Sequence, residues 1–142
     1  MAYDQLKLEN QLCFPLYASA HEVTKRYKPY LDELGLTYTQ YITMMVLWER
    51  KQITVKMLGE LLHLDSGTLT PLLKRLESKG YVLRQRSKED ERSVNVSLTD
   101  TGKELEEKAK NIPLKLGACI SLNQEEILQL QALLNKLLTQ MK

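Results

Sequence analysis

The feature that most constrains the fold is a change of hydrophobic period beyond the middle of the chain. Up to about residue 80 the apolar residues recur at helical spacing, whereas residues 81–86 and 94–98 partly alternate between apolar and polar side chains. The polar run 87–93 between these two segments predicts a β-hairpin with a charged turn. Helical spacing then returns. The sequence therefore predicts a mostly α-helical fold with one small β-hairpin.

Short polar residues and glycines mark the ends of the predicted helices. Helical spacing extends to Leu34, but Pro29 interrupts its far end, where residues 30–34 could form a last turn, and Gly35 marks the end of the first helix. Because proline is tolerated only in a first helical turn, Pro15 means that this helix either starts near Phe14 or is kinked there. Pro113 bends or restarts the helix that follows the hairpin. The other predicted caps and stops are Thr37, Thr54, Asp65 with Ser66, Gly80, Thr99, and either Ser121 or Asn123.

The order of elements predicts a winged helix-turn-helix. Residues 37–98 form its core, and the hairpin forms the wing. The flanking segments, residues 1–36 and 99–142, are helices that are too apolar on one face to stand alone. We expect them to be N-terminal and C-terminal dimerisation helices, all within a single structural domain.

The distribution of charge indicates a nucleic-acid surface. The formal net charge is only +2, so the chain is not a polybasic arm. Phosphate contacts supply most of the affinity for a duplex, and a local basic face is therefore the feature to seek. A basic run is more often a solvated helix face, but the neighbouring hairpin favours a nucleic-acid surface here. Between Ser66 and Lys88 a single acidic residue, Glu77, opposes six basic ones. The six are Lys74, Arg75, Lys79, Arg84, Arg86 and Lys88.

The fourth helix is the predicted recognition helix. Its first turn carries small hydroxyl side chains, which allow the backbone to approach a major groove, and its N-terminus favours a phosphate. Ser66 could also be a simple N-cap. In the wing, Arg92 is suited to a narrow minor groove, where the negative potential is strongest, and Asp90 could hold its guanidinium.

Other features limit the compartment and the chemistry. Cys13 and Cys119 are far apart, and neither has a Cys or His neighbour at metal-ligand spacing, so no metal or cofactor is expected. His21 and His63 stand alone. The N-terminal residues lack the pattern of a signal peptide, and no apolar stretch approaches the length of a membrane span. A cytoplasmic location, where free thiols persist, is expected.

Two groups of segments resemble the MarR family of winged-helix repressors, and within it the organic-hydroperoxide repressors, the OhrR group. The first group is residues 65–77 with the Asp-Glu-Arg of the wing, and the second is residues 8–19, 24–29 and 36–38. The resemblance implies a homodimer that represses transcription from pseudo-palindromic operator DNA, with recognition helices in major grooves and wings in minor grooves. The resemblance points to Ser66, Thr68, Thr70, Lys74, Asp90 and Arg92. Together with the other residues of the helix start and of the basic run, the predicted DNA-binding residues are Asp65, Ser66, Gly67, Thr68, Thr70, Pro71, Lys74, Arg75, Arg84, Arg86, Asp90 and Arg92.

The resemblance also implies a redox sensor. Cys13 would be oxidised by organic hydroperoxides, with Tyr27 and Tyr38 donating hydrogen bonds to its sulfur and Tyr17 nearby. Hydrogen-bond donors favour the thiolate, which is the form that attacks a peroxide, and the sulfenic acid product condenses with a second thiol. In one style of these proteins that thiol is a C-terminal cysteine, here Cys119, and in the other it is a low-molecular-weight thiol.

Three alternatives remain open at this point. A MarR-like repressor could instead be released by a small aromatic ligand bound without covalent chemistry. The chain could be a thiol peroxidase that uses Cys13, although no basic residue or histidine lies within three positions of it and the wing would be unexplained. It could also be an architectural DNA binder without sequence preference. We expect a regulator, not an enzyme.

Overall fold

The computed structural model describes residues 3–141, which form seven α-helices, three β-strands and two short 3-10 turns near the N-terminus. The helices and strands in chain order are α1 (Cys13–Leu34), α2 (Tyr38–Arg50), β1 (Gln52–Thr54), α3 (Val55–Leu62), α4 (Ser66–Ser78), β2 (Val82–Arg86), β3 (Val94–Leu98), α5 (Asp100–Ala109), α6 (Ile112–Gly117) and α7 (Gln124–Gln140). The expected mostly helical fold with a small β element is confirmed.

The predicted polar caps start the helices. Thr37 accepts a hydrogen bond from the Gln40 backbone N–H while the Gln40 side chain accepts from the Thr37 N–H, which satisfies two otherwise unpaired donors. Side chains at the other predicted positions accept in the same way from the backbone three residues on. These caps are Thr54, Asp65, Thr99 and Asn123.

Helix α1 is one continuous helix in spite of its two prolines. It begins at Cys13, which places Pro15 in its first turn, and it continues through Pro29 to Leu34. Gly35 ends it in the left-handed conformation, with a φ of 68°, and the two N–H groups of Gly35 and Leu36 turn back to carbonyls of the last turn.

A three-stranded antiparallel sheet stands beside the helices in the order β1-β3-β2. Strands β2 and β3 form the predicted hairpin, and Arg84 lies opposite Val96 in their ladder. Strand β1, in which Ile53 also pairs with Val96, was not predicted. A strand of three residues is too short to show a period.

The core lies between α1, α2, α3, α4, the sheet and α5. Met44, Leu47, Leu58, Leu76 and Val96 are fully buried there. Helix α5 is attached through a close approach at Gly102. A Cβ at that position would lie 2.2 Å from the Tyr81 carbonyl oxygen, and the Gly102 carbonyl accepts a 2.9 Å hydrogen bond from the Trp48 indole. Only glycine fits this contact.

The chain divides into two compact units after Ile112. The first unit contains the sheet and helices α1–α5, and the second contains most of α6 and all of α7. The three-part division expected from the sequence stays a prediction. Within residues 3–141, no helix combines the length and the hydropathy that a membrane span requires.

Candidate DNA-binding surface and redox site

Helix α4 has one buried face and one exposed face. Leu69, Leu72, Leu73 and Leu76 are buried in the core and fix the helix against the first unit. The opposite face presents the small and basic residues that the sequence analysis selected. Those exposed to solvent are Ser66, Gly67, Thr68, Pro71, Lys74 and Arg75, while Thr70 is half-buried.

The N-terminus of α4 is organised by Asp65. Its Oδ1 accepts a 2.7 Å hydrogen bond from the Thr68 backbone N–H, and this bond, with help from the Thr68 side chain, holds the pKa of Asp65 below its usual range. Ser66 is the first helical residue and not the cap. The hydroxyl of Ser66 is therefore not committed to capping the helix and stays on the exposed surface.

The tip of the wing is held by Asp90. Its Oδ1 accepts a 3.0 Å hydrogen bond from the Arg92 backbone N–H, and its Oδ2 accepts from the Ser93 hydroxyl at 3.4 Å. This contact with Arg92 differs from the guanidinium pairing that we expected, because it fixes the backbone and leaves the side chain of Arg92 exposed. The tip is thus shaped to present an arginine.

Three of the six predicted cations have partners within the chain. Arg84 is paired with Glu77, with Nη2 3.2 Å from Oε1. Arg86 donates to the Glu91 carbonyl at 3.2 Å. Lys79 donates to the carbonyl of Gly35, which ties the end of α4 to the end of α1. The exposed basic side chains that remain are Lys74, Arg75 and Lys88, together with Arg92 at the tip.

Cys13 is an exposed thiol and the first residue of α1. No side chain caps this helix, since Leu12 precedes it in a helical conformation. The N–H groups of a first helical turn have no partner within the helix, and they give its N-terminus a partial positive charge. This position suits a reactive cysteine better than the interior of a helix would.

The predicted supporting tyrosines fall into two places. Tyr17 follows Cys13 by one helical turn on the same face of α1 and is 71% exposed. Tyr27 lies about 21 Å further along this continuous helix, at 1.5 Å per residue. Its ring is 5.0 Å from that of Tyr38 and 5.5 Å from that of Tyr41, measured between centroids. Within one chain, the structure therefore does not bring Cys13 to Tyr27 and Tyr38.

Burial keeps the tyrosine hydroxyls protonated. Desolvation, with smaller contributions from Tyr38 and Tyr41, raises the pKa of Tyr27 to about 12, and burial also raises the pKa of Tyr38. A phenol with a raised pKa is a neutral donor at physiological pH. The pair can therefore donate hydrogen bonds to an anion that reaches it.

Similarity to known proteins shows the family of this chain. The family model described as transcriptional regulator SarA/Rot matches residues 25–109. The chain is also 54% identical, over 136 residues, to the organic hydroperoxide resistance transcriptional regulator of Bacillus subtilis, with 96% of this chain and 92% of that protein covered. The chain belongs to the MarR-like family of winged-helix transcriptional regulators.

Solved structures of one MarR-like regulator are similar to the chain over nearly its whole length. Reduced AbfR bound to DNA, a protein of Staphylococcus epidermidis, superposes with a TM-score of 0.80 at 34% identity and covers 98% of both chains. A disulfide-formed AbfR superposes with a TM-score of 0.62 at 33% identity and covers 97% of this chain and 92% of that one. This chain is therefore a winged-helix transcriptional regulator that is similar to the OhrR group.

Glu77 belongs to the candidate DNA-binding surface, although no role was assigned to it from the sequence. It is the single acidic residue among six basic ones, and that isolation was a usable signal of a specific partner.

Cys119 is exposed in the second unit, where its thiol donates to the Lys115 carbonyl at 3.7 Å. Over the described range 3–141, no three His, Cys, Asp or Glu side chains cluster as a metal site would require.

Proposed function

We propose that this regulator is a redox-sensing repressor that acts in the cytoplasm. It binds a pseudo-palindromic operator as a homodimer and releases it when an organic hydroperoxide oxidises Cys13. The observation that carries the proposal is the exposed thiol of Cys13 at the first residue of an uncapped helix. Support comes from the Bacillus subtilis relative named for organic hydroperoxide resistance and from AbfR, which was solved reduced on DNA and as a disulfide.

The oxidation begins at the sulfur. The Cys13 thiolate attacks one oxygen of the hydroperoxide, the O–O bond breaks, and the leaving alkoxide takes a proton to become an alcohol. The sulfur is oxidised to a sulfenic acid and the peroxide is reduced. A second thiol then displaces water from the sulfenic acid and forms a disulfide. Cys119, or a low-molecular-weight thiol, supplies that second thiol.

The tyrosines act from the partner subunit. Because Tyr27 lies about 21 Å from Cys13 along its own helix, only a second copy can bring the Tyr27 hydroxyl to the thiol. Tyr27 and Tyr38 of the partner subunit would donate hydrogen bonds to the thiolate and would lose them when the sulfur acquires oxygen. The apolar residues of α7, none of which is buried within the described chain, supply surface for the dimer.

Helix α1 would transmit the loss of these hydrogen bonds to the DNA-binding surface. The end of α1 is tied to the end of α4 by the Lys79 contact with the Gly35 carbonyl. A shift of α1 against the partner would therefore move the recognition helix and change the spacing of the two helices on the operator. Such a switch needs only a few kcal/mol of difference between the two states.

The test is a DNA-binding titration before and after oxidation. The duplex is obtained by in vitro selection on the reduced protein, and wild type, Cys13→Ser and Cys119→Ser are each treated with one equivalent of cumene hydroperoxide. Wild type is expected to release DNA while Cys13→Ser stays bound, and Cys119→Ser reports whether a protein disulfide is required. Retention of DNA by all three would contradict the peroxide mechanism.

A mixed dimer tests the placement of the tyrosines. One chain carries Cys13→Ser and the other Tyr27→Phe, so that one complete site survives only if the residues act across the dimer. In the control, one chain carries both substitutions and the other is wild type, which leaves its Cys13 facing phenylalanine. The first mixture is expected to oxidise Cys13 roughly tenfold faster than the control, the loss expected for a hydrogen bond to a charged group. Equal rates would exclude action across the dimer.

A second candidate function has a specific observation in its favour. A groove of about 480 Å³ lies along α1 and the start of α2, and its lining mixes apolar, hydroxyl and basic side chains with one carboxylate, Asp32, which is paired with Lys28. The basic and apolar groups together would suit a small aromatic acid. The lining includes His21, Lys28, Leu31, Leu36 and Tyr38. In a regulator of that kind, the Cys13→Ser substitution would leave the response to the ligand unchanged. A thiol peroxidase, by contrast, would turn over hydroperoxide continuously with a reductant.

A further inference from the structure

The end of the recognition helix is clamped to the first strand of the wing by one carboxylate. Glu77 Oε2 accepts a 3.0 Å hydrogen bond from the Arg84 backbone N–H. Its Oε1 accepts from the Arg84 guanidinium, with Nε at 3.3 Å and Nη2 at 3.2 Å. The two residues meet because the chain reverses after α4 at Gly80, whose φ is 82°. A single side chain therefore holds both the backbone and the side chain of β2.

The clamp is more protected than the other ion pairs. The exposed fractions of the two side chains are 25% for Arg84 and 33% for Glu77, whereas the Lys28–Asp32 pair on α1 is 72% and 60% exposed. Partly buried pairs are screened less by salt than exposed ones. The backbone N–H of Arg84 and its guanidinium also hold the pKa of Glu77 below its usual range, so the carboxylate stays charged at neutral pH.

The clamp is the first of a series of contacts that ends at the wing tip. From Arg84 the strand continues to Arg86, which donates to the Glu91 carbonyl. Arg92, which follows Glu91 in the chain, is fixed by the hydrogen bond from its backbone N–H to Asp90. The orientation of Arg92 relative to α4 is therefore set by contacts that begin at Glu77. Two DNA-contacting elements joined rigidly at the correct angle bind one duplex more tightly than two elements joined loosely, since the second contact becomes intramolecular.

We propose that Glu77 and Arg84 are positioning residues, which fix the angle between the recognition helix and the wing so that both engage one duplex. Arg84 then acts through Glu77 and Arg92 and makes no phosphate contact of its own. This inference rests on the proposed DNA contacts of α4 and the wing. It does not depend on the oxidation of Cys13.

The decisive variant is Glu77→Gln, because two explanations give opposite signs. If electrostatics alone mattered, removal of a negative charge and release of Arg84 would tighten DNA binding. The clamp predicts weaker binding, by roughly tenfold for a pair of directly coupled residues. The reduced protein is titrated with the in vitro selected duplex at several salt concentrations. Unchanged or tighter binding by Glu77→Gln would overturn the proposal.

Salt dependence separates positioning from phosphate contact. Arg84→Met is expected to weaken binding without changing the slope of log affinity against log salt. Lys74→Met, on the exposed face of α4, is expected to reduce that slope by about 0.9, the value for one phosphate contact. A slope reduced by the same amount in Arg84→Met would mean that Arg84 contacts phosphate, which contradicts the proposal.

A double-variant cycle tests whether the clamp acts through the wing tip. In an Arg92→Ala background, Glu77→Gln is expected to change affinity by less than about twofold, because the group that the clamp positions is gone. The same roughly tenfold loss in that background would exclude action through Arg92. The matched control is Glu107→Gln, which removes the carboxylate of the Lys110 ion pair on α5 by the same substitution and is expected to leave affinity unchanged.

A measurement without DNA distinguishes failure of the inference from failure of the proposed function. In the free reduced protein, amide exchange at Arg84 is expected to rise roughly tenfold in Glu77→Gln, since a charge-assisted hydrogen bond is weakened. Unchanged exchange would show that the clamp does not order β2, whatever the DNA results. If wild type selects no duplex while exchange responds as expected, the DNA-binding function fails and the clamp itself stands.

Discussion

Helices α4 and α7 have the same sequence design and different environments. Each begins with a short polar cap and carries leucines at helical spacing, yet all four leucines of α4 are buried. In the described part of α7 no residue is buried, and Leu133 is 65% exposed. Periodicity thus specifies a helix with an apolar face, but it does not specify whether that face packs in its own chain or against another.

The difference in burial suggests separate roles for the two helices. The leucines of α4 hold this helix against a core that the first unit completes by itself. The apolar face of α7 remains available, which fits the proposed role of dimerisation. A regulator of this design would keep its winged-helix unit folded while the contact between two copies changes.

The largest effect is expected from Leu76→Ala in α4. Leu76 is fully buried, and its truncation removes apolar contacts and leaves a cavity. The free energy of unfolding should fall by about 3 kcal/mol. Urea unfolding followed by circular dichroism measures this loss, which should not vary with protein concentration. A loss below about 1 kcal/mol would show that α4 is not held by its leucines.

The matched substitution in α7 is Leu133→Ala. If its side chain is buried only by a second copy, dimer association should weaken by about 1.5 kcal/mol for each substituted chain. Sedimentation equilibrium measures the association, and the thermal midpoint should become lower mainly at high protein concentration. A loss independent of concentration and as large as that of Leu76→Ala would mean that α7 packs within its own chain.

The next effect concerns the tyrosines that pack against the self-contained core. With a folded-state pKa of about 12 and an ordinary unfolded value near 10, Tyr27 contributes stability that is present below about pH 10. That contribution should be lost as pH rises from about 10 to 12, because the unfolded chain ionises first. Tyr27→Phe should remove this part of the pH dependence and leave the effect of lysine titration. Urea unfolding between pH 9 and 11.5 compares the two proteins, and identical pH profiles would contradict the burial effect.

Much of the first unit was predictable because local signals agree there. Thr37, Thr54, Asp65 and Thr99 cap helices as their residue types suggest. The pairing of Arg84 was not predictable from composition, since it depends on the turn at Gly80 that brings it to Glu77. A basic residue in a basic run was therefore assigned to DNA without knowledge of its partner within the chain, and its contact with DNA stays a prediction.

The redox site was less accessible to sequence reasoning. The resemblance placed Cys13 with Tyr27 and Tyr38, but the continuity of α1 through Pro29 separates them within one chain. Once that continuity is established, the rise of a helix is enough to require a second copy. What the sequence lacked was evidence that neither proline ends the helix.

The smallest effect is expected from the two cysteines, and it sharpens the comparison between units. Cys13 in the first unit and Cys119 in the second are both exposed, so replacing either thiol by a hydroxyl creates no cavity. Cys13→Ser and Cys119→Ser should each change the unfolding free energy of the reduced protein by less than about 0.5 kcal/mol. Urea unfolding under reducing conditions measures this. A larger loss for Cys119→Ser alone would show that its thiol is buried by a second copy, which would place it in the dimer contact and not among reactive surface groups.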